Sequence, residues 1–314
     1  MVDKVFLVVG AGSIGKRHAD NLRALGETVE LIPYRAFDAD AVTRRDDVAG
    51  VVIATATPIR LDLIRLCAAK GWPFYAEKPL AWTRGQVAAI YDAAGPVADR
   101  SMVGFMMRYH PALRALAQRD LSDIYGFSFE IGHDVRQWRA NWSFTDSYAS
   151  DPAGGGVLLD LCHEIDIAHC LFPQATFTAV QSLDHPDFPR VDFATRISLS
   201  APGGPAGTVA MDYLSPVSLR NGALRGTKSK VDLDLLGPTL RTQDGQSVDT
   251  QNFTFERNDM FLQIMADFVA LAKGHAPSDN PLMPRFDKVR ASCDLIASAW
   301  EAREFTGKVA VDFG

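Results

Sequence analysis

Cysteine is scarce, with four residues in 314: Cys67, Cys162, Cys170 and Cys293. None forms a C-x-x-C pair or a zinc-type spacing. That argues against a disulfide framework or structural zinc and favours reduced thiols buried as small hydrophobes. No apolar run approaches the roughly 20 residues needed to span a bilayer. Positive charge is not in excess: 32 Lys and Arg stand against 38 Asp and Glu, for a net charge of −6. The chain therefore lacks the electrostatic footprint of a nucleic-acid binder, and no membrane partner is expected. Low-complexity tracts and internal repeats are missing too. The opening residues, MVDKVFLVVGAG, enter a strand-like run at once, without the basic, apolar and small-residue regions of a secretory signal. The expected location is cytoplasmic.

What is present is an ordinary globular composition, 47% hydrophobic and 22% charged, on a chain longer than one typical core. Two domains are expected. KVFLVV (4–9) is a continuous apolar run of the kind buried on both faces of a sheet. TVELI (28–32), GVVIAT (50–55) and PFYA (73–76) read as further strands. Helical spacing marks 13–26, stopping at Gly26, and 58–71, opened by Pro58 and stopped by Gly71. Strands alternating with helices predict βαβ units and a doubly wound parallel sheet. After about residue 118 the pattern changes. Runs with period 2 at 124–135, 176–184, 191–201, 207–214 and 229–237 predict an open, largely antiparallel or mixed sheet, flanked by helices at 157–171, 258–273 and 284–303. The expected domains are 1–118 and 119–314.

GAGSIG sets Gly10, Gly12 and Gly15 in the G-x-G-x-x-G spacing, directly after a predicted strand and at the opening of a predicted helix. In that context the pattern marks a dinucleotide site: a tight turn, close backbone approach to a pyrophosphate, and an anion at the helix N-terminus. An acidic residue ending the second strand would hold the ribose 2′-hydroxyl of NAD. Tyr34 and Arg35 stand there instead, with Asp38 several residues later. Arginine suits a 2′-phosphate, so NADP is the preferred cofactor and NAD the alternative.

YAEKPLA (75–81) places Lys78 between Glu77 and Pro79 just past a strand, at the carboxyl edge where ligands of such sheets bind. Taken together, GAGSIG, EKP and GGGVLLDLCHEID (154–166) resemble the Gfo/Idh/MocA family, in a short subgroup with the GGGVLLD..HEID motif. The resemblance continues through MVGFMMRYHPALRAL (102–116) and ERNDMFLQIMADFVALAKG (256–274). It implies an N-terminal Rossmann domain followed by an α/β domain whose open sheet often joins subunits into a homodimer or homotetramer. It also implies hydride transfer between nicotinamide and a carbinol or carbonyl carbon of a sugar or cyclitol. By that similarity Gly10, Gly12, Ser13, Ile14, Gly15, Arg35, Thr55, Glu77 and Lys78 are expected at the cofactor. Lys78 would stabilise the reacting oxygen and His163 would act as acid and base, with Asp160 beside it. Many relatives carry that aspartate four residues before the histidine; here the separation is three, and both spacings share one face of a continuous helix. Where many relatives carry a histidine after the third strand, Arg60 stands nearest.

On the substrate side, HDVRQWRANWSFTDSYASDPAGGG (133–156) is aromatic and polar at once. Aromatic faces suit sugar C–H surfaces, and charged groups suit hydroxyls. Trp138, Arg139 and Tyr148 are candidate contacts, with Arg108, Asp160 and His163. His18, His169 and Glu164 read as structural. HEIDIAH sets its histidines six apart, not the four that place two ligands on one helix face, so no metal is expected. A non-catalytic dinucleotide sensor on the same fold is the alternative reading; the presence of both Lys78 and His163 argues against it.

Overall fold

A computed structural model describes residues 4–137 and 143–311. The first sheet contains β1 (Val5–Val9), β2 (Thr28–Ile32), β3 (Val48–Ile53), β4 (Phe74–Ala76) and β5 (Met102–Val103), in the order β2-β1-β3-β4-β5. Every pairing is parallel. β1 and β3 are buried along their whole length, as a parallel strand covered on both faces must be. β2, at the edge, is half exposed. Helices Ser13–Ala24, Arg60–Lys70 and Arg84–Ala94 follow β1, β3 and β4. The link from β2 to β3 holds only a three-residue 3₁₀ turn and the short helix Ala39–Thr43. All these strands run the same way, so Gly10, Ala54 and Glu77, which follow β1, β3 and β4, lie at one carboxyl edge.

The chain groups into two compact units, 1–109 with 255–294 and 110–254 with 295–314. That differs from a single division at residue 118. The helix Arg257–Ala272 belongs with the first sheet, for two reasons of packing. Phe268 meets Phe6 of β1 edge to face at 5.8 Å. The buried Asp267 carboxylate accepts from the Tyr109 hydroxyl at 2.5 Å and from the Ser278 backbone N–H at 2.6 Å.

The second unit is built on a mixed sheet that, among the described residues, has nine strands: β6 (Ile124–Gly132), β7 (Thr176–Asp184), β8 (Ala194–Ser200), β9 (Ala206–Asp212), β10 (Leu219–Gly226), β11 (Ser229–Asp234), β12 (Thr239–Asp244), β13 (Ser247–Asn252) and β14 (Glu304–Lys308). Their order is β13-β12-β11-β10-β6-β9-β8-β7-β14. β6 with β9 and β7 with β14 are parallel; the remaining pairs are antiparallel. β10, β12, β13 and β14 go beyond the strands legible in the pattern. β10 carries two glycines and two arginines, and β13 is exposed at every position, so neither has an apolar alternation to read.

The expected helix over 157–171 is two helices, Val157–Asp160 and His163–Leu171. Leu161 (φ −104°, ψ 27°) leaves helical geometry between them. Asp160 thus closes one helix and His163 opens the next, which corrects the expectation that both share one face of a continuous helix. Among the described residues, no helix is long and apolar enough to cross a membrane.

Candidate functional site

The glycine turn after β1 is dictated by contacts that exclude side chains. Gly10 sits at φ +108°, and a Cβ there would overlap the Ala54 carbonyl at the end of β3. A Cβ at Gly15 would overlap the Gly10 carbonyl, so the helix Ser13–Ala24 can lie this close only with glycine at that position. Gly12 differs. A Cβ there would meet no heavy atom within 4 Å, and its φ of −72° is ordinary. The helix it opens has no side-chain cap and no acidic residue in its first turn. Its first N–H groups, from Ser13 onward, have no intrahelical acceptor. Open space at Gly12 and an uncapped N-terminus fit a dinucleotide pyrophosphate.

Past β2, Arg35 lies exposed in the turn Tyr34–Ala36. Asp38 is committed elsewhere: its carboxylate accepts from the Ala41 backbone N–H at 3.0 Å and caps the helix Ala39–Thr43. No carboxylate therefore stands directly after β2 in the place an NAD ribose would use.

The loop after β4 is tied down from two sides. Arg60, 4% exposed, donates to the Glu77 carbonyl at 2.5 Å, to the Thr55 carbonyl at 3.1 Å and to the Pro79 carbonyl. One guanidinium thus holds three backbone oxygens around the cis Lys78–Pro79 peptide bond. From the other side, the buried Glu77 carboxylate bonds His18 Nε2 at 2.7 Å. It also accepts from the Tyr75 hydroxyl at 3.3 Å and from the Lys78 backbone N–H at 3.2 Å. Burial alone would raise the Glu77 pKa. The His18 hydrogen bond, with the charges of His18, Lys78 and Arg60, overcomes it and holds the carboxyl below its usual range. Burial pushes the Tyr75 phenol well up, and the Glu77 charge adds to the push. Lys78 itself is half-buried at the edge of this frame.

Sequence reasoning read His18 as merely structural and left Arg60 without a partner. A signal for His18 was available: it falls three residues after Gly15, on the helix face that packs against the sheet. Arg108 is 8% exposed and faces inward, its guanidinium bonding Ser292 Oγ at 3.0 Å and the Leu282 carbonyl at 3.3 Å. That bonding ties the returning C-terminal segment to the first unit.

In the second unit the glycine run lets two turns press together. The Gly155 N–H donates to the Asp151 carbonyl at 2.6 Å and the Gly156 N–H to the Ala149 carbonyl at 2.9 Å. A Cβ at Gly155 would overlap the Tyr148 and Ala149 carbonyls. Gly156, at φ +93°, lies against the carboxylate of Asp192. Asp192 is fully buried, pairs with Arg303 and accepts from the Leu158 N–H at 2.8 Å. The start of the short helix is thereby fixed, and Tyr148 is carried onto Asp160.

Both oxygens of Asp160 are engaged. Tyr148 donates to Oδ1 at 2.7 Å and Tyr213, fully buried, to Oδ2 at 3.1 Å. Tyr148 is 66% exposed, so this carboxylate is reached by a surface tyrosine on one side and a core tyrosine on the other. Burial raises the Tyr213 phenol well above its usual pKa, with the Asp160 charge contributing. His133 stacks obliquely on Tyr213 at 6.1 Å. Burial lowers the His133 pKa against the opposing pull of Asp160 and Asp212. Tyr213 and His133 were both missed by sequence reasoning, since only the sheet brings them to Asp160. His163 is 5% exposed at the start of its helix. Glu164, 1% exposed, bonds Arg220 at 2.5 Å. Trp138 and Arg139 lie outside the described residues. Among the described residues, no cluster of three or more His, Cys, Asp or Glu could hold a metal ion.

No family model matches the chain. Among solved structures, levoglucosan dehydrogenase in complex with NADH and levoglucosan superposes with a TM-score of 0.75 at 19% identity, over 95% of this chain and 96% of that one. The chain shares that fold. Over 187 residues it is 27% identical to an inositol 2-dehydrogenase of Acidothermus cellulolyticus, covering 52% of each chain. A D-xylose 1-dehydrogenase (NADP(+)) of Haloferax volcanii is 29% identical over 166 residues, 50% of this chain and 48% of that one. The chain thus spans about half the length of the curated relatives it matches.

Proposed function

We propose that the protein is an NAD(P)-dependent oxidoreductase. It would transfer a hydride between nicotinamide and a carbinol or carbonyl carbon of a sugar, cyclitol or sugar derivative. The observation that carries this reading is the framed EKP loop. Buried Glu77 and Arg60 hold the Lys78 backbone at the same carboxyl edge as the open, uncapped Gly12 turn. A nucleotide bound at that turn supplies or accepts the hydride. Lys78 then offers a fixed ammonium to the oxygen on which alkoxide charge develops, which lowers the barrier by electrostatic stabilisation. His163, whose residue type titrates near neutrality, moves the proton of that oxygen. Asp160 and Tyr148 hold hydroxyls of the polyol. Inositol, xylose and levoglucosan dehydrogenases among the matches support this substrate class.

NADP is the preferred cofactor on this reading. Arg35 is exposed where a 2′-phosphate would sit, and the nearest carboxylate, Asp38, is spent on a helix cap. The protein is proposed to work in the cytoplasm as a homodimer or homotetramer assembled through the open face of its second sheet.

The test is turnover of NADP(H) against a panel of polyols and keto-sugars by the purified chain and its Lys78→Ala variant. The variant is expected to bind NADPH normally and to lose about 10²- to 10³-fold in kcat. Undiminished turnover would remove Lys78 from the chemistry, and absence of nucleotide binding by the wild type would sink the reading as a whole.

A further inference from the structure

His18 lies on the helix that the glycine turn opens, one helical turn beyond Gly15, and is fully buried. Its ring packs against Tyr75 at 4.9 Å and Phe261 at 6.0 Å, which fixes the ring plane. Nε2 bonds the Glu77 carboxylate at 2.7 Å, whereas Nδ1 has no hydrogen-bond partner among the described residues. The polar function of this imidazole is therefore directed at a single acceptor. Glu77 in turn receives the Lys78 backbone N–H on its other oxygen, at 3.2 Å. A continuous set of bonds runs from the helix behind the glycine turn, through His18 and Glu77, to the peptide that carries Lys78.

We infer that His18 is a positioning residue for Lys78, holding the Glu77 carboxylate so that the lysine's backbone is registered against the helix at the glycine turn. The inference rests on the proposed role of Lys78 and deepens it. His18 touches neither hydride nor reacting oxygen. It acts through Glu77, in the way that an orienting group fixes a catalytic one. Arg60 holds the carbonyl side of the same loop, so His18 and Arg60 divide the restraint: one governs the carboxylate, the other the backbone oxygens. The lowered pKa of Glu77 agrees with this, since the carboxyl stays ionised and able to accept both bonds.

The experiment compares His18→Leu, His18→Gln and Glu77→Gln in the full-length protein, with NADPH binding followed by fluorescence and turnover measured on whichever polyol the wild type uses. Glutamine can place an amide N–H near the position of Nε2; leucine cannot. His18→Leu is expected to lose about 30- to 100-fold in kcat, the size of effect that a small misplacement of a catalytic group produces. Its NADPH dissociation constant should stay within about threefold of wild type, because the loss lies in the chemical step. His18→Gln should return kcat to within about fivefold of wild type by restoring the hydrogen bond. In His18→Leu/Glu77→Gln the two losses should not add, since both break one link.

If His18→Leu fails to fold by thermal melting, Glu77→Gln alone decides: a kcat loss with retained NADPH binding upholds the inference, and an unchanged kcat overturns it. Wild-type kcat in a folded His18→Leu variant overturns the inference and leaves the proposed function standing. A loss of NADPH binding equal to the loss of kcat assigns His18 to general structure and overturns it too. Absence of turnover by the wild type with every polyol tested overturns the proposed function beneath it, and this inference with it.

Discussion

The hydroxyl of Tyr148, a residue two-thirds exposed, lies 2.7 Å from a carboxylate oxygen of Asp160, which is nearly buried. The contact depends on the glycine run, since side chains at residues 155 and 156 would collide with the turn that carries Tyr148 and with Asp192. If Asp160 is a sugar contact, Tyr148 orients it. Tyr148→Phe should then raise KM for the polyol by about tenfold, the worth of one hydrogen bond to a charged group, with NADPH binding unchanged. Steady-state kinetics at saturating cofactor would show it, and an unaltered KM would remove the tyrosine from the substrate side.

The proposed NADP preference rests on Arg35. Replacing it by aspartate should reverse the NADP over NAD ratio in kcat/KM by about 10²-fold or more, because a cation facing a 2′-phosphate becomes an anion able to accept from a 2′-hydroxyl. Parallel kinetics with both nucleotides measure this directly. An unchanged ratio would mean that Arg35 does not reach the cofactor.

Two glycines should respond oppositely to alanine. Gly156→Ala introduces a side chain at φ +93° and against the buried Asp192 carboxylate. A loss of about 2–4 kcal/mol in unfolding free energy is expected from strain and overlap together. Gly12→Ala meets open space at an ordinary φ, so its stability should match wild type while its NADPH affinity falls. Urea unfolding and nucleotide titration of both variants separate the two effects. A stable Gly156→Ala variant, or a Gly12→Ala variant with full affinity, would contradict the respective assignment.

Acid should destabilise the second unit through His110. Burial lowers its pKa to about 4 from an ordinary 6.5; the Arg220 charge adds to the drop, and Asp234 opposes it. Native His110 therefore stays neutral down to about pH 4, whereas the unfolded chain takes up its proton below 6.5. Stability is unaffected by this group above 6.5 and declines as pH falls from there to 4. The shift corresponds to about 3 kcal/mol in all. His110 Nδ1 also accepts the Ala112 N–H at the start of a helix, a role asparagine can take. His110→Asn should flatten the urea midpoint between pH 6.5 and 4. A variant as acid-sensitive as wild type would show that other groups govern the decline.

Local signals carried much of the architecture. The alternation of strand-like runs with helical spacing foretold β1 to β4 and the parallel sheet, most clearly at β1 and β3, because a strand covered on both faces must be apolar throughout. Gly10 and Gly15 foretold the turn, because a side chain at either would overlap backbone, of Ala54 and of Gly10 respectively. β10 and β13 escaped notice: the buried face of β10 shows only Gly222 and Leu224 between arginines, and β13 lies wholly in solvent, so neither imprints an apolar alternation on its sequence.

Only the tertiary structure decided which groups meet. His18 finds Glu77 59 positions away, and Asp160 finds Tyr213 53 positions away. The Arg257–Ala272 helix packs with the first sheet although residues 110–254, which belong to the second unit, separate them in the chain. The break at Leu161 likewise has no proline or glycine to announce it. A residue's own preferences set its backbone, whereas a hydrogen bond between distant residues depends on where the packed sheets place both ends. For that reason the chemistry-bearing residue types could be picked out along the chain, and their partners could not.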